Sequence, residues 1–71
     1  MRVYKIYAKH EDKMVQKFVR GWMPTYTKQG ILYYSENVAL KNLDKCNEFK
    51  NSSERYKNQE FILKTYNLEE I

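Results

Sequence analysis

Reactive and chain-breaking residues are scarce in this chain of 71 residues: it holds one Cys, one His, one Pro and two Gly. A lone Cys46 cannot close an intrachain disulfide. One Cys and one His fall short of the ligand set that a zinc site needs, so no metal is expected. Gly21 and Gly30 are too widely spaced for a phosphate-cradling loop, so no nucleotide cofactor is expected either. The apolar runs are a few residues long, against the roughly 20 of a membrane span. The opening MRVYKIYAKH alternates and lacks the apolar core of a secretory signal. Like charges never gather into a block or a basic tail. These absences argue against a disulfide scaffold, a metalloprotein and a membrane protein, and they predict a reduced, cytoplasmic setting.

What is present is aromatic and cationic. Seven Tyr, three Phe and Trp22 stand beside 13 basic and 9 acidic residues, for a net charge of +4. The length suits one compact domain, residues 1–71. A domain this small buries only about 60% of its unfolded surface. With disulfide and metal excluded, either an aromatic core or burial against a partner must supply the missing stability, and a homo-oligomer is one form of the latter. The net charge favours anionic partners, although mixed lysines are also what an ordinary solvated surface carries.

The pattern of the chain predicts an α+β fold, a small antiparallel sheet with one covering helix, in the order ββ(β)αβ. Arg2 to His10 alternates, with Tyr4, Ile6 and Ala8 on one face and Val3, Lys5, Tyr7 and Lys9 on the other. Glu11-Asp12-Lys13 is a turn of hairpin length. Met14 to Trp22 alternates again, with Met14, Phe18 and Trp22 on one face and Val15, Lys17 and Val19 on the other. Gly21 marks a bulge or close approach, and Pro24 ends the ladder by removing a donor. Thr25-Tyr26-Thr27 and Ile31–Tyr34 are both β-prone around a turn at Lys28-Gln29-Gly30, which gives either a second small hairpin or a loop leading into one short strand; for Thr25 to Gln29 the loop is favoured.

Ser35 is a preferred helix N-cap, and Glu36 in the first turn complements the helix dipole. Ala39, Leu43 and Cys46 form an apolar stripe flanked by Val38, Leu40 and Phe49, opposite Lys41, Asp44, Lys45 and Glu48. Asn51-Ser52-Ser53 offers a stop. Glu60 to Tyr66 alternates and is rich in strand formers, while the segment from Ser53 also admits a second helix; the strand is favoured. Asn67 to Ile71 reads as a turn or frayed end, its acids Glu69 and Glu70 as solubilising.

Chemistry-bearing residues are few. His10 lies in a turn with no evident nucleophile, and Cys46 lies on the apolar stripe past the middle of the helix, where a thiol acts as a small hydrophobe. No catalytic residue is assigned, and the chain reads as a non-enzyme. Two sets carry the binding signal. Lys5, Tyr7, Lys9 and Lys17 interleave aromatic and cationic side chains on one sheet face, as single-strand nucleic-acid platforms do. Trp22, Met23, Tyr26 and Tyr33 supply the residue types enriched at protein interfaces, with Trp22 either core or interface.

A hairpin, then a strand–Ser–helix run (ILYYSENVAL), then a Phe-Ile strand (EFIL), in a composition biased to Lys, Asn, Tyr and Ile, resembles small accessory proteins encoded by phages and mobile elements of AT-rich bacteria. The resemblance implies a non-catalytic binder that blocks or redirects a host protein. The expected partner is thus a protein, one with an acidic surface among the options. The alternative is a single-stranded nucleic acid bound on the Tyr/Lys face.

Overall fold

In the computed structural model, which describes residues 1–68, the chain forms β1 (Arg2–Ala8), β2 (Lys13–Val19), β3 (Met23–Thr27), α1 (Glu36–Asn51) and β4 (Phe61–Asn67). The strands make one antiparallel sheet in the order β3-β2-β1-β4. The predicted class and element order are as observed, and α1 packs on one face against β1, β3 and β4.

β1 takes the centre because both its faces can be buried. Tyr4, Ile6 and Ala8 face the helix, and Val3 on the opposite face is still only 1% exposed. The β1–β4 ladder runs unbroken from Arg2↔Asn67 to Ala8↔Phe61. Asn67 therefore belongs to the strand and not to a frayed end, and Leu68 adds a bond from its N–H to the Met1 carbonyl at 2.8 Å. The acidic pair Glu69-Glu70 lies outside the described residues.

The other half of the sheet departs from simple alternation in three ways. First, the third strand is Met23–Thr27, not Ile31–Tyr34. Pro24 sits inside it, buried, opposite Phe18. This is possible because β3 is an edge strand, where a missing N–H costs no ladder bond. The turn before it, Arg20-Gly21, has φ of 56° and 78°. That is the signature of a type I′ hairpin turn, whose twist suits the strands it joins. β2 accordingly stops at Val19 and does not run on to Trp22.

Second, β2 carries a bulge. Its register with β3 shifts between Val15 and Phe18, and one extra residue inverts which side chains face inward. Val15 and Phe18 both reach the core cluster, Val15 fully buried. This corrects the expected grouping of Val15 with Lys17 and Val19 on the open face. Met14, opposite Tyr7, faces outward instead. Thr25 Oγ1 serves the bulged backbone, accepting from the Lys17 N–H (3.2 Å) and donating to the Lys17 carbonyl (2.9 Å).

Third, β1 and β2 pair directly only at Tyr7↔Met14 and Ala8↔Lys13. Beyond that they part, and residues 30–33 enter the gap. The Ile31 N–H donates to the Val15 carbonyl at 3.1 Å, and Tyr4 and Tyr33 exchange two backbone bonds of 2.8 Å. The segment read as a strand is thus a wedge with a single bridge at Tyr33. Gly30 makes the entry possible: it has φ +71°, and a Cβ there would overlap Met14 Cβ and stand 3.0 Å from the Val15 carbonyl oxygen.

The helix follows its sequence signals. Ser35 Oγ accepts from the Val38 N–H (3.5 Å), Glu36 occupies the first turn and Lys50 the last, and the Ser52 N–H closes back on the Glu48 carbonyl at 3.0 Å. Ala39, Cys46 and Phe49 are buried, with Leu43 half-buried against the core. Val38 and Leu40, on the flanks of that stripe, are exposed. Residues 52–60 cross to β4 without a second helix, turning at 55–58. Buried Gln59 pins this connection to the β1–β2 turn by accepting from the His10 N–H at 2.8 Å. No helix of the described residues is long and apolar enough to cross a membrane.

Candidate functional site

The candidate binding residues fall into two exposed regions and a buried remainder. Tyr33 belongs to the remainder: it turns inward at the wedge, is 9% exposed and lies in the core cluster, and burial raises its phenol above the usual value. Tyr26 is half-buried and packs on the core, its ring stacked with Phe61 at 6.5 Å. Its hydroxyl is buried with no hydrogen-bond partner among the described residues, and burial pushes its pKa up to about 12. These two tyrosines are thus held mainly inside, leaving Trp22 of the proposed interface set exposed and Met23 half-buried.

Trp22 stands at the tip of the β2–β3 hairpin, 52% exposed. The tight Arg20-Gly21 turn throws it toward the C-terminal end of α1. There its ring meets Phe49 at 6.0 Å, and Phe49 in turn meets Tyr56 at 5.0 Å. Gly21, Trp22, Lys45, Glu48, Phe49 and Ser52 line a cleft of about 340 Å³. Phe49 and Tyr56 are part of this region although sequence reasoning assigned Phe49 to the core stripe and Tyr56 to nothing. Their spacing shows no pattern until α1 docks. Met23, half-buried, follows in β3 opposite Val19.

The second region is the open face of the sheet. Residues directly opposite in an antiparallel ladder share a face, so the register assembles it. One row crosses all four strands as Thr27, Met14, Tyr7 and Ile62; the next rows on β1 and β4 are Lys5–Lys64 and Val3–Tyr66. Ile62, Lys64 and Tyr66 were legible as one face of β4, but only the register shows that it is the same face as Tyr7. Tyr7 is constrained. Its hydroxyl donates to Asp12 Oδ1 at 2.5 Å, a bond that raises its pKa, and Lys64 Nζ lies 5.0 Å from its ring centre. Lys5 Nζ donates to the Gln29 carbonyl at 2.7 Å. Lys17, with Gln16, Thr27, Lys28, Gln29 and Gly30, lines an adjoining shallow groove of about 630 Å³. Lys9 is drawn out of the set. β1 ends at Ala8, and Lys9 pairs with Glu60 at 3.4 Å at the rim.

The two reactive side chains are not brought together. His10 is exposed in the β1–β2 turn, where Glu11, Arg55, Tyr56, Asn58 and Gln59 complete a cleft of about 310 Å³. Cys46 is buried under the helix, and burial pushes its thiol up to about 12. Among the described residues, no three His, Cys, Asp or Glu side chains are grouped as a metal would require.

Fold and surfaces together define a four-stranded antiparallel α+β domain with an aromatic cleft at one end of its helix and a tyrosine–lysine face on the far side of its sheet. Compared with protein-family models, curated proteins and solved structures, the chain finds no match.

Proposed function

We propose that this protein is a non-catalytic binding module that acts through a protein partner, in the manner of the phage and mobile-element accessory proteins that its sequence resembles. The observation that carries the reading is Trp22. A tryptophan half-exposed on a tight hairpin tip, backed by Phe49 and beside an open cleft, has the character of an interface anchor. Such anchors dominate binding energy when a partner excludes water around them. Lys45 and Glu48 at the rim would set orientation, and the net charge of +4 favours a partner with an acidic surface. Support for the non-catalytic part comes from the placement of the two reactive side chains. His10 is solvated in a turn, and the Cys46 thiol, raised by burial, is a poor nucleophile. A cytoplasmic setting is part of this reading and agrees with the buried free thiol.

Trp22 is the only tryptophan, so its fluorescence reports on the cleft directly. Affinity capture from nuclease-treated host lysate should recover a protein with the wild type and lose it with Trp22→Ala. Adding the purified partner should shift the Trp22 emission to the blue. Equal capture by a folded Trp22→Ala variant would refute this assignment of the interface.

A further inference from the structure

We infer that the open sheet face is a second binding surface, and that its ligand is a single-stranded nucleic acid. It is separate from the Trp22 cleft and does not depend on the protein-partner reading.

The first ground is the way the fold sorts charge. In sequence the lysines are scattered among acids. In the structure Lys5 and Lys64 stand directly opposite on the open face. Lys17 and Lys28 line the groove that continues it toward β3, joined to it through Lys5 and the Gln29 carbonyl. The result is a band of four ammonium groups from one edge of the sheet to the other. Asp12 holds the Tyr7 hydroxyl at one end of this face. Glu36 and Glu48 lie with the helix, Glu36 accepting from Tyr4 on the covered face and Glu48 lining the Trp22 cleft, while Glu60 pairs with Lys9 at the rim.

The second ground is the Lys5–Lys64 pair itself. Like charges directly opposite on a ladder are destabilising. A ligand that lays phosphate between them would turn that repulsion into attraction. The third is the chemistry beside the band. Tyr66, 39% exposed, adjoins it on β4, and Tyr34, 63% exposed, stands next to the Tyr33 bridge on β1. Ile62 adds apolar surface to the row that contains Tyr7. Lysines that follow a phosphate chain, with flat rings at their side to stack bases, are how single-strand platforms work without sequence-specific contacts. A duplex offers no unstacked base to these rings. An acidic peptide would use the lysines but leave the tyrosines idle.

The test is a fluorescence-anisotropy titration with fluorescein-labelled oligo(dT) and oligo(U), at several salt concentrations. The wild type should bind at low salt and weaken as salt rises. Lys5→Gln/Lys64→Gln should reduce the slope of log affinity against log salt by about two, one for each phosphate that is no longer neutralised. The control Lys41→Gln/Lys57→Gln makes the same change in net charge on exposed residues outside the band, and should leave the slope unchanged. Tyr66→Ala should weaken binding about tenfold at fixed salt, the size of one stacking interaction. Circular dichroism on each variant separates lost binding from lost fold. Absence of wild-type binding at low salt overturns the inference. So does an equal loss in both lysine pairs, which means diffuse charge only. Competition by poly-glutamate as effective as by unlabelled oligonucleotide overturns it too, and points to an acidic protein. All of these outcomes leave the Trp22 capture experiment standing.

Discussion

One sheet presents two faces of opposite character. The covered face holds Tyr4, Ile6, Val15 and Tyr33 against Ala39 and Cys46 of α1, with half-buried Phe18, Tyr26, Phe61 and Leu63 at its edges. The open face holds Tyr7, Lys5, Lys64, Ile62 and Tyr66. Both faces are rich in tyrosine, yet the environments differ. Inside, phenol and thiol groups have lost water and hold their protons more tightly. Outside, Tyr7 is shifted chiefly by a hydrogen bond to Asp12. The covered face therefore governs stability, and the open face is left to meet ligands.

Alkaline titration should strike the covered face most, through the buried Cys46 and Tyr26, and its effect is the largest expected. In the unfolded chain the Cys46 thiol ionises near 9.0 and the Tyr26 phenol near 10.0, while in the folded core both hold their protons to about 12. Between these limits the folded state binds more protons than the unfolded one, so stability is full below about pH 9 and falls as the pH rises toward 12. Denaturation midpoints measured from pH 8 upward should decline through that window. The decline should be smaller in Cys46→Ala after correction for its lower starting stability. A flat profile would mean that the thiol and phenol are not buried as described.

The seam between the two halves of the sheet is the next most sensitive place. Gly30→Ala must displace Met14 or the Val15 backbone, and it also places a Cβ at positive φ; a loss of about 3 kcal/mol is expected. Gly21 also has positive φ, but nothing lies within 4 Å of a Cβ there, so Gly21→Ala should cost only about 1 kcal/mol. Urea denaturation of the two variants side by side measures the difference. Equal costs would remove the wedge between β1 and β2.

The bulge makes a sharper claim about which face a residue serves. Val15→Ala should cost about 2 kcal/mol, from two buried methyl groups and the cavity they leave. Val19→Ala, at a half-buried position near the hairpin tip, should cost about half as much. Equal costs would restore simple alternation along β2, which puts Val15 and Val19 on one face.

Tyr26→Phe is the mildest change and should be favourable. It removes a buried hydroxyl without a partner while keeping the ring on Phe61. An unsatisfied buried polar group typically costs at least 1 kcal/mol, so a gain of up to about 1 kcal/mol is expected in the same denaturation assay. A loss would show that the hydroxyl is hydrogen-bonded after all.

The strands at the two ends of the chain were readable because nothing interrupts their period. β1 and β4 pair without a break, so alternation in the letters equals alternation in space. The helix was readable for the same reason, with Ser35 to start it and an apolar stripe to seat it. β2 was not, because a bulge shifts parity by one residue without changing composition. Nor was the wedge, because Gly30 differs from an ordinary turn glycine only in what it touches. Of the candidate site, Trp22, Tyr7 and Lys5 were found by residue type, while Lys64, Tyr66 and Phe49 needed the register and the docked helix.

The sequence by itself therefore determined the class of fold, the element order and the helix caps, since these follow from local periodicity and from backbone groups satisfied within a few residues. Tertiary structure alone decided which tyrosines are buried, which lysines stand together and where Trp22 points. Those depend on strand register, and register is set by contacts between residues far apart in the chain: Lys5 meets Lys64, and Tyr4 meets Tyr33, only after the sheet has closed.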